Sequence, residues 1–137
     1  MRGRVASIIA AVGAACALAL GAPAASSAGK QAPDPERVQA RGVEFDLTLS
    51  RTKLRPGRAI IQFLNAGEDP HDLRIQRLDA GGHQIGDELG FGVIGPGDYD
   101  NLDTHLARRA RYVLWCSLDD HRQRGMEATL RTRRHRR

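Results

Sequence analysis

Residues 111–130 read RYVLWCSLDDHRQRGMEATL, and this stretch decides the fold of the chain. Its first six residues, 111–116, are rich in β-branched and aromatic types, which predicts a strand. A polar loop of nine residues follows at 117–125. Beyond the loop, Met126, Ala128 and Leu130 alternate with polar residues, which predicts a closing strand with one buried face. The stretch therefore predicts two strands joined by a polar loop.

The same two-residue period recurs upstream. Residues 43–50 alternate apolar and polar types and predict one half-buried strand, and residues 59–65 predict a second strand after an Arg-Pro-Gly turn. Residues 71–76 predict a third strand, residues 79–97 predict loops around one short strand, and residues 98–106 give a weaker strand pattern. Short strands between Pro/Gly turns, without a long amphipathic helix, predict an all-β antiparallel sandwich.

The first 28 residues have the order of a secretory signal peptide: two arginines, 16 uncharged apolar-rich residues, then small residues. The apolar run is shorter than the roughly 20 residues that span a bilayer. Cleavage after Ala28 is favoured, with Ala24 as the other position. Cys16 follows small residues and leaves a lipoprotein cleavage open as an alternative, although the residue three before it is Gly13 rather than the usual leucine.

These features predict four regions. They are a signal peptide at 1–28, a linker at 29–40, the sandwich domain at 41–132 and a basic tail at 133–137. The predicted location after cleavage is therefore outside the cytoplasm, either periplasmic or extracellular, including the cell surface. After cleavage one cysteine remains, Cys116, so no internal disulfide can form.

The basic character of the chain is concentrated at its end. The whole chain has a formal charge of +5, but residues 29–130 hold 14 basic and 16 acidic side chains, and residues 131–137 hold five arginines. Such a tail can hold an anionic membrane surface or an acidic partner, although a solvated terminus explains it as well. Export argues against nucleic acid as a partner, and we expect a monomer.

Four side chains have the types and positions of a metal site. Cys116, His121 and Met126 follow one another along the loop, and His71 begins another predicted strand after a proline. His71, Cys116 and Met126 are in phase with apolar residues of their strands, so they should point inward. Each residue alone fits a packing or capping role as well; their order, spacing and phase together indicate a shared ion.

The donor types favour copper. Two imidazoles and one thiolate form a trigonal set, and a methionine adds a long axial bond, which is the arrangement of blue-copper electron-transfer sites. Structural zinc favours four strong ligands, and catalytic zinc keeps an open position. The sequence therefore predicts one type 1 copper ion, cycling between Cu(I) and Cu(II), at His71, Cys116, His121 and Met126.

From about residue 41 to 132 the chain resembles the cupredoxins, the plastocyanin and azurin family. The resemblance is carried by Asn65-Ala66-Gly67 with Pro70-His71-Asp72-Leu73, and by Tyr112 to Cys116 with Gly125-Met126. The Cys-x4-His-x4-Met spacing is similar to that of the longer-loop members auracyanin and rusticyanin. Membership implies a Greek-key sandwich with copper at one end, three equatorial ligands and axial Met126. It also implies an apolar patch pierced by His121.

Two departures from the family pattern carry hypotheses. Asp119-Asp120 stands where many relatives have Pro-Gly, and two carboxylates near the metal should lower its reduction potential. Asp72 stands where several relatives have an asparagine that supports the cysteine sulfur, so that support is in question here.

Trp115 is out of phase with Cys116 and is expected either to be buried or to offer a second electron route. The remaining histidines, His83, His105 and His135, are expected at the surface.

The predicted function is one-electron transfer between redox proteins, with the partner docking near His121 and no enzymatic reaction. Copper storage or delivery is the alternative. It is disfavoured because such proteins often carry Met- or His-rich tracts, and this chain has two methionines. A metal-free binding module would not need the intact ligand set, and a copper enzyme would need further domains and His-x-His pairs.

Overall fold

The computed structural model describes residues 32–133, and these form nine strands. The predicted signal peptide and residues 134–137 of the predicted tail lie outside the described part. The strands are β1 (Glu36–Val43), β2 (Asp46–Leu49), β3 (Lys53–Leu54), β4 (Gly57–Asn65), β5 (His71–Leu78), β6 (Gln84–Ile94), β7 (Tyr99–Leu106), β8 (Arg111–Trp115) and β9 (Glu127–Thr132). Among the described residues, no helix is long and apolar enough to cross a membrane.

The strands form two sheets, with the orders β2-β1-β4-β7 and β3-β9-β8-β5-β6. The predicted all-β sandwich is therefore confirmed. Two pairings, β1 with β4 and β3 with β9, are parallel rather than antiparallel. Parallel pairs need a longer connection than a hairpin; here β2 and β3 lie between β1 and β4 in the chain.

The core lies between the sheets, where the period-two side chains meet. Alternate residues of β4 are buried, including Ala59, Ile61 and Phe63, and their neighbours along the strand are half-buried. Leu114 and Leu130 face them from β8 and β9 and are fully buried. At roughly 25 cal/mol per Å² of apolar surface removed from water, such side chains supply most of the stabilisation of a domain this small.

The predicted linker at 29–40 is wrong for residues 36–40, which form the first part of β1. β1 lies between β2 and β4, and it buries Val38 and Ala40 against the core. The segment reads ERVQARGV, and its small and polar residues interrupt the alternation of apolar and polar types that would have predicted a strand. The sandwich domain consequently begins near Glu36 rather than at residue 41.

The predicted single strand at 43–50 is also wrong, because the chain turns at Glu44 and Phe45. β1 ends at Val43, and β2 returns antiparallel to it with Val43 opposite Asp46. Phe45 has φ 63°, the left-handed conformation that a tight turn requires. No glycine, proline or asparagine marks this turn in the sequence, so the apolar alternation continued through it.

The predicted loops around one short strand at 79–97 become the 11-residue strand β6. β6 is an edge strand and most of its residues are exposed, so no buried face produced an alternating pattern. Gly90 lies directly over the carbonyl oxygen of Leu73 on β5, where a Cβ atom would collide. Gly90, one of the glycines that suggested loops, thus allows β6 to pass close to its neighbour.

Candidate metal centre

Three candidate donors converge at one end of the sandwich. The Nδ1 atoms of His71 and His121 lie 3.2 Å apart, and the Cys116 sulfur lies 3.5 Å from Nδ1 of His121 and 4.0 Å from Nδ1 of His71. Together they form the one group of three metal-binding side chains within 4.8 Å among the described residues. Donors that each lie about 2.0–2.3 Å from a common ion span triangles of this size.

Adjacent strands place His71 and Cys116. His71 is the first residue of β5, and Cys116 directly follows β8, which pairs antiparallel with β5. The start of one strand therefore lies beside the end of the other. Both side chains are fully buried, as their phase predicted.

The loop 117–125 brings His121 to the same point. The amide of His121 donates to Leu118 at 3.1 Å, which folds the first half of the loop into a turn. The amide of Met126 then donates to the carbonyl of His121 at 3.0 Å, and the amide of Cys116 donates to the carbonyl of Met126 at 3.1 Å. These bonds connect both ends of the loop, so the position of His121 is set by backbone geometry.

Met126 lies beneath the loop with its side chain fully buried. Its terminal methyl group packs against Gly42 so closely that a Cβ atom at Gly42 would lie 2.7 Å from it. The backbone of Met126 contacts those of Cys116 and His121, as described above. The chain therefore brings Met126 to the donor triangle; its axial ligation stays a prediction.

The second ring nitrogen of His71 faces a carboxylate that sequence reasoning missed. Nε2 of His71 is buried without a hydrogen bond within residues 32–133, and Oε1 of Glu44 lies 3.6 Å from it. The same oxygen accepts hydrogen bonds from the amides of Glu68 and Asp69. A metal-bound histidine typically donates its other N–H to a carboxylate or carbonyl. Glu44 is positioned for that role.

Two titratable groups near the donors, Glu44 and His71, have lowered pKa values. The amides of Asp69 and Glu68 hold the pKa of the Glu44 carboxyl down to about 2. Burial lowers the pKa of the His71 imidazole, the neighbouring His121 acts in the same direction, and Glu44 opposes them. His71 is therefore kept neutral, the state in which an imidazole nitrogen can bind a metal.

Burial raises the pKa of the Cys116 thiol, because a thiolate in this position loses its hydration. The backbone amides of Asp72 and Leu118 act in the opposite direction. A cation beside the sulfur would supply the missing compensation, since metal binding deprotonates a coordinating thiol. The buried thiol thus fits a metal ligand better than a free nucleophile.

Asp72 supports the cysteine loop, which resolves the question raised by its departure from asparagine. Its buried carboxylate accepts the amide of Ser117 at 2.6 Å and also the Ser117 hydroxyl. Arg74 donates to the same carboxylate at 3.0 Å. Because Ser117 directly follows Cys116, Asp72 fixes the backbone beside the sulfur.

The other candidates lie apart from the centre. His83 is exposed beside Asp79, and His105 is exposed on β7; His135 is outside the described residues. Trp115 is buried, with the guanidinium of Arg122 4.5 Å above its ring. The ring of His121 is partly exposed and meets Phe45 edge-on at 5.5 Å.

The donor set fits one copper ion. Two imidazoles and a buried cysteine sulfur, with a thioether nearby, are the ligands that suit both Cu(I) and Cu(II). When bound, copper would supply a one-electron couple. Fewer strong donors are present among the described residues than structural zinc requires.

Of three comparisons with known proteins, the one with solved structures agrees with this fold. No family model matches the chain, and no curated protein matches it. Auracyanin from the photosynthetic bacterium Roseiflexus castenholzii has a TM-score of 0.58 and 13% identity, over 74% of this chain and 99% of that one. Auracyanin A, a blue copper protein from Chloroflexus aurantiacus, has a TM-score of 0.56 and 13% identity, over 73% of this chain and all of that one.

A copper nitrite reductase from Nitrosomonas europaea matches with a TM-score of 0.52 and 16% identity, over 74% of this chain and 42% of that one. The auracyanins are matched over their whole length, whereas the enzyme is matched over less than half. At these identities the likeness establishes the fold alone. The described domain has the cupredoxin fold, and the resemblance stated from the residues is confirmed at that level.

Proposed function

We propose that the chain is an exported one-electron carrier that holds a single copper ion. His71, Cys116 and His121 would bind the ion in a plane, and Met126 would lie on its axis. The observation that carries the proposal is the convergence of two imidazole nitrogens and the Cys116 sulfur within 4.0 Å of one another. These donors come from two strand ends and a loop, so the fold itself assembles them.

The rigidity of the site supports electron transfer. Hydrogen bonds connect both ends of the ligand loop, and Asp72 fixes the residue after the cysteine. A ligand set held by the fold changes little between two oxidation states of a bound metal, which favours fast electron exchange. Copper storage or delivery requires easy exchange of the ion, and the full burial of Cys116 and Met126 would slow it.

The partly exposed ring of His121 is the proposed route for the electron. It is the one donor of the three that reaches the surface. The loops around it are not the apolar patch that the resemblance implied. Segments 44–46, 66–72, 95–100 and 117–127 hold nine partly or fully exposed Asp and Glu residues against two arginines, and a tenth carboxylate, Asp72, is buried. We therefore expect a redox partner with a positively charged docking surface.

The first experiment is an absorption spectrum of the copper-loaded protein. An intense visible band from sulfur-to-copper charge transfer is expected in the wild type and should vanish in Cys116→Ser. His83→Gln is the matched control, because His83 is exposed and distant from the donors in the described fold. A band of equal intensity in Cys116→Ser, or no visible band in the wild type, would refute the copper assignment.

A second experiment separates carrier from copper-delivery protein. A carrier should titrate reversibly through one redox midpoint while a competing chelator removes copper slowly. If copper passes to the chelator faster than the protein exchanges electrons, copper delivery would be favoured. For the carrier, oxidation by a cationic complex should be faster than by an anionic complex of similar potential, and the difference should shrink at high salt.

Export is tested by fractionation and by sequencing the N-terminus of the processed protein. We expect processing after Ala28. A lipid-modified N-terminus at Cys16 would establish the alternative cleavage, and an unprocessed cytoplasmic chain would refute export. Gel filtration of the processed protein should give a monomer.

A further inference from the structure

The pole of the sandwich opposite the metal centre is strongly basic. β1 runs between the two poles: Glu36 pairs with Ala59 at one end, and Gly42 pairs with Asn65 near the metal centre. Three segments meet at the far end, because β3 pairs with β9, β8 pairs with β9, and Gly57 pairs with Leu106. We call segments 51–58, 107–111 and 131–133 the basic pole.

The basic pole holds nine of the chain's Lys and Arg residues and no Asp or Glu within its segments. The nine are Arg51, Lys53, Arg55, Arg58, Arg108, Arg109, Arg111, Arg131 and Arg133. The compensation nearby comes from three acidic residues: Arg51 and Arg55 share Glu36, Arg58 pairs with Asp103, and the turn after β5 places Asp79 beside Arg111. Within the described residues, the six cations other than Arg51, Arg55 and Arg58 have no ion-pair partner. The pole therefore has a large uncompensated positive charge.

Two adjoining clefts open at this pole. One has a volume of 440 Å³, and Glu36 is its single acidic wall residue beside Arg51, Lys53, Arg55 and Arg133. The other has a volume of 430 Å³ and is lined by Lys53, Thr132 and two arginines. Guanidinium and ammonium groups around open clefts match phosphate groups in geometry and charge.

We propose that the basic pole docks the protein on an anionic phospholipid surface, with the metal centre facing away. The chain outside the described residues supports this occupant, because both of its attachment points lie here. Residues 32–35 lead into β1 at Glu36, and Arg133 is followed by three more arginines.

The surface itself favours a lipid bilayer over a folded protein. Specific protein interfaces are centred on aromatic and apolar anchors. The exposed large apolar side chains of the described residues are Ile85, Leu89, Val93 and Tyr99, and none belongs to the basic pole. Charge spread over three segments, without an apolar anchor, suits a surface of many equivalent phosphates. The proposal does not depend on bound copper.

The test measures sedimentation with vesicles of about 30% phosphatidylglycerol in phosphatidylcholine, and with pure phosphatidylcholine vesicles. The metal-free chain from Gly29 to Arg137 is used, because it contains every described strand and lacks the apolar run. Binding is expected on the anionic vesicles alone, and it should weaken strongly between about 0.05 M and 0.5 M salt.

Matched double variants locate the binding surface. Lys53→Gln/Arg133→Gln removes two charges from the basic pole and should weaken binding at least about tenfold. Arg41→Gln/Arg124→Gln removes two charges elsewhere and should change it less than about twofold. Thermal unfolding confirms that both variants fold. A chain ending at Arg133 should keep measurable, salt-sensitive binding through the folded pole.

Three results would overturn the proposal. The first is equal weakening by both double variants, which would make net charge the cause. The second is complete loss of binding in the shortened chain, which would assign it to the tail alone. The third is no sedimentation with anionic vesicles although an acidic protein binds, which would make the pole a protein-docking surface.

Discussion

Replacing Asp72 with alanine should destabilise the metal-free protein by about 3 kcal/mol. The carboxylate is 1% exposed and accepts two hydrogen bonds from Ser117 and one from Arg74. Hydrogen bonds to a charged group contribute roughly 1.5–3 kcal/mol each. We count the two Ser117 bonds at the low end of that range, because Ser117 can be rehydrated. The Arg74 bond is discounted, because its side chain is 38% exposed.

The assay is unfolding of the metal-free protein by heat and by urea. For a domain of about 100 residues, a loss of about 3 kcal/mol lowers the melting temperature by roughly 12–24 °C. Asp72→Asn keeps an acceptor for the Ser117 amide and should lose only about 1 kcal/mol. Equal losses in the two variants, or a loss under about 1 kcal/mol in Asp72→Ala, would refute the role assigned to the carboxylate.

Three further outcomes follow from particular contacts. Gly42→Ala places a Cβ atom 2.7 Å from the methyl of Met126 and should cost about 1–3 kcal/mol in urea unfolding, so wild-type stability would contradict this packing. Asp120→Gly should raise the reduction potential of the copper-loaded protein by a measurable amount of up to about 40 mV, since Asp120 is exposed and paired with Arg124; an unchanged potential in redox titration would reject the hypothesis. The pKa of Glu44 is lowered to about 2, so its contribution to stability is present above about pH 4.5 and is lost as the pH falls towards 2. In urea unfolding, Glu44→Gln should therefore lose less stability than the wild type on acidification. Identical pH profiles of the two proteins would contradict the effect.

The candidate ligands could be predicted because their information is local and chemically rare. Cys116, His121 and Met126 lie on one strand-loop-strand segment, and a single thiol remains after the predicted cleavage. Strand phase then gives the inward direction of three donors, and the structure buries those three side chains completely. The geometry required no long-range information beyond the pairing of β5 with β8.

Glu44 could not be predicted, because its role depends on two contacts that no spacing reveals. In the sequence it occupies the polar phase of an apparently continuous strand. In the fold the chain turns at Glu44, and the amides of Glu68 and Asp69 bind its carboxylate. The turn is made by Phe45 with a φ of 63°, a conformation that its residue type does not favour, so the sequence gives no signal for it.

The separation of charge is a second property that composition conceals. Residues 29–133 hold 16 basic and 16 acidic side chains, yet the segments around the metal centre carry nine partly or fully exposed carboxylates and the opposite pole carries nine cations. The basic segments 51–58, 107–111 and 131–133 are far apart in the chain and meet only because strand ends alternate between the poles. A field of this shape orients the molecule before any contact forms. The same strand order that assembles the donors therefore also separates the two surfaces for which we propose an anionic membrane and a cationic redox partner.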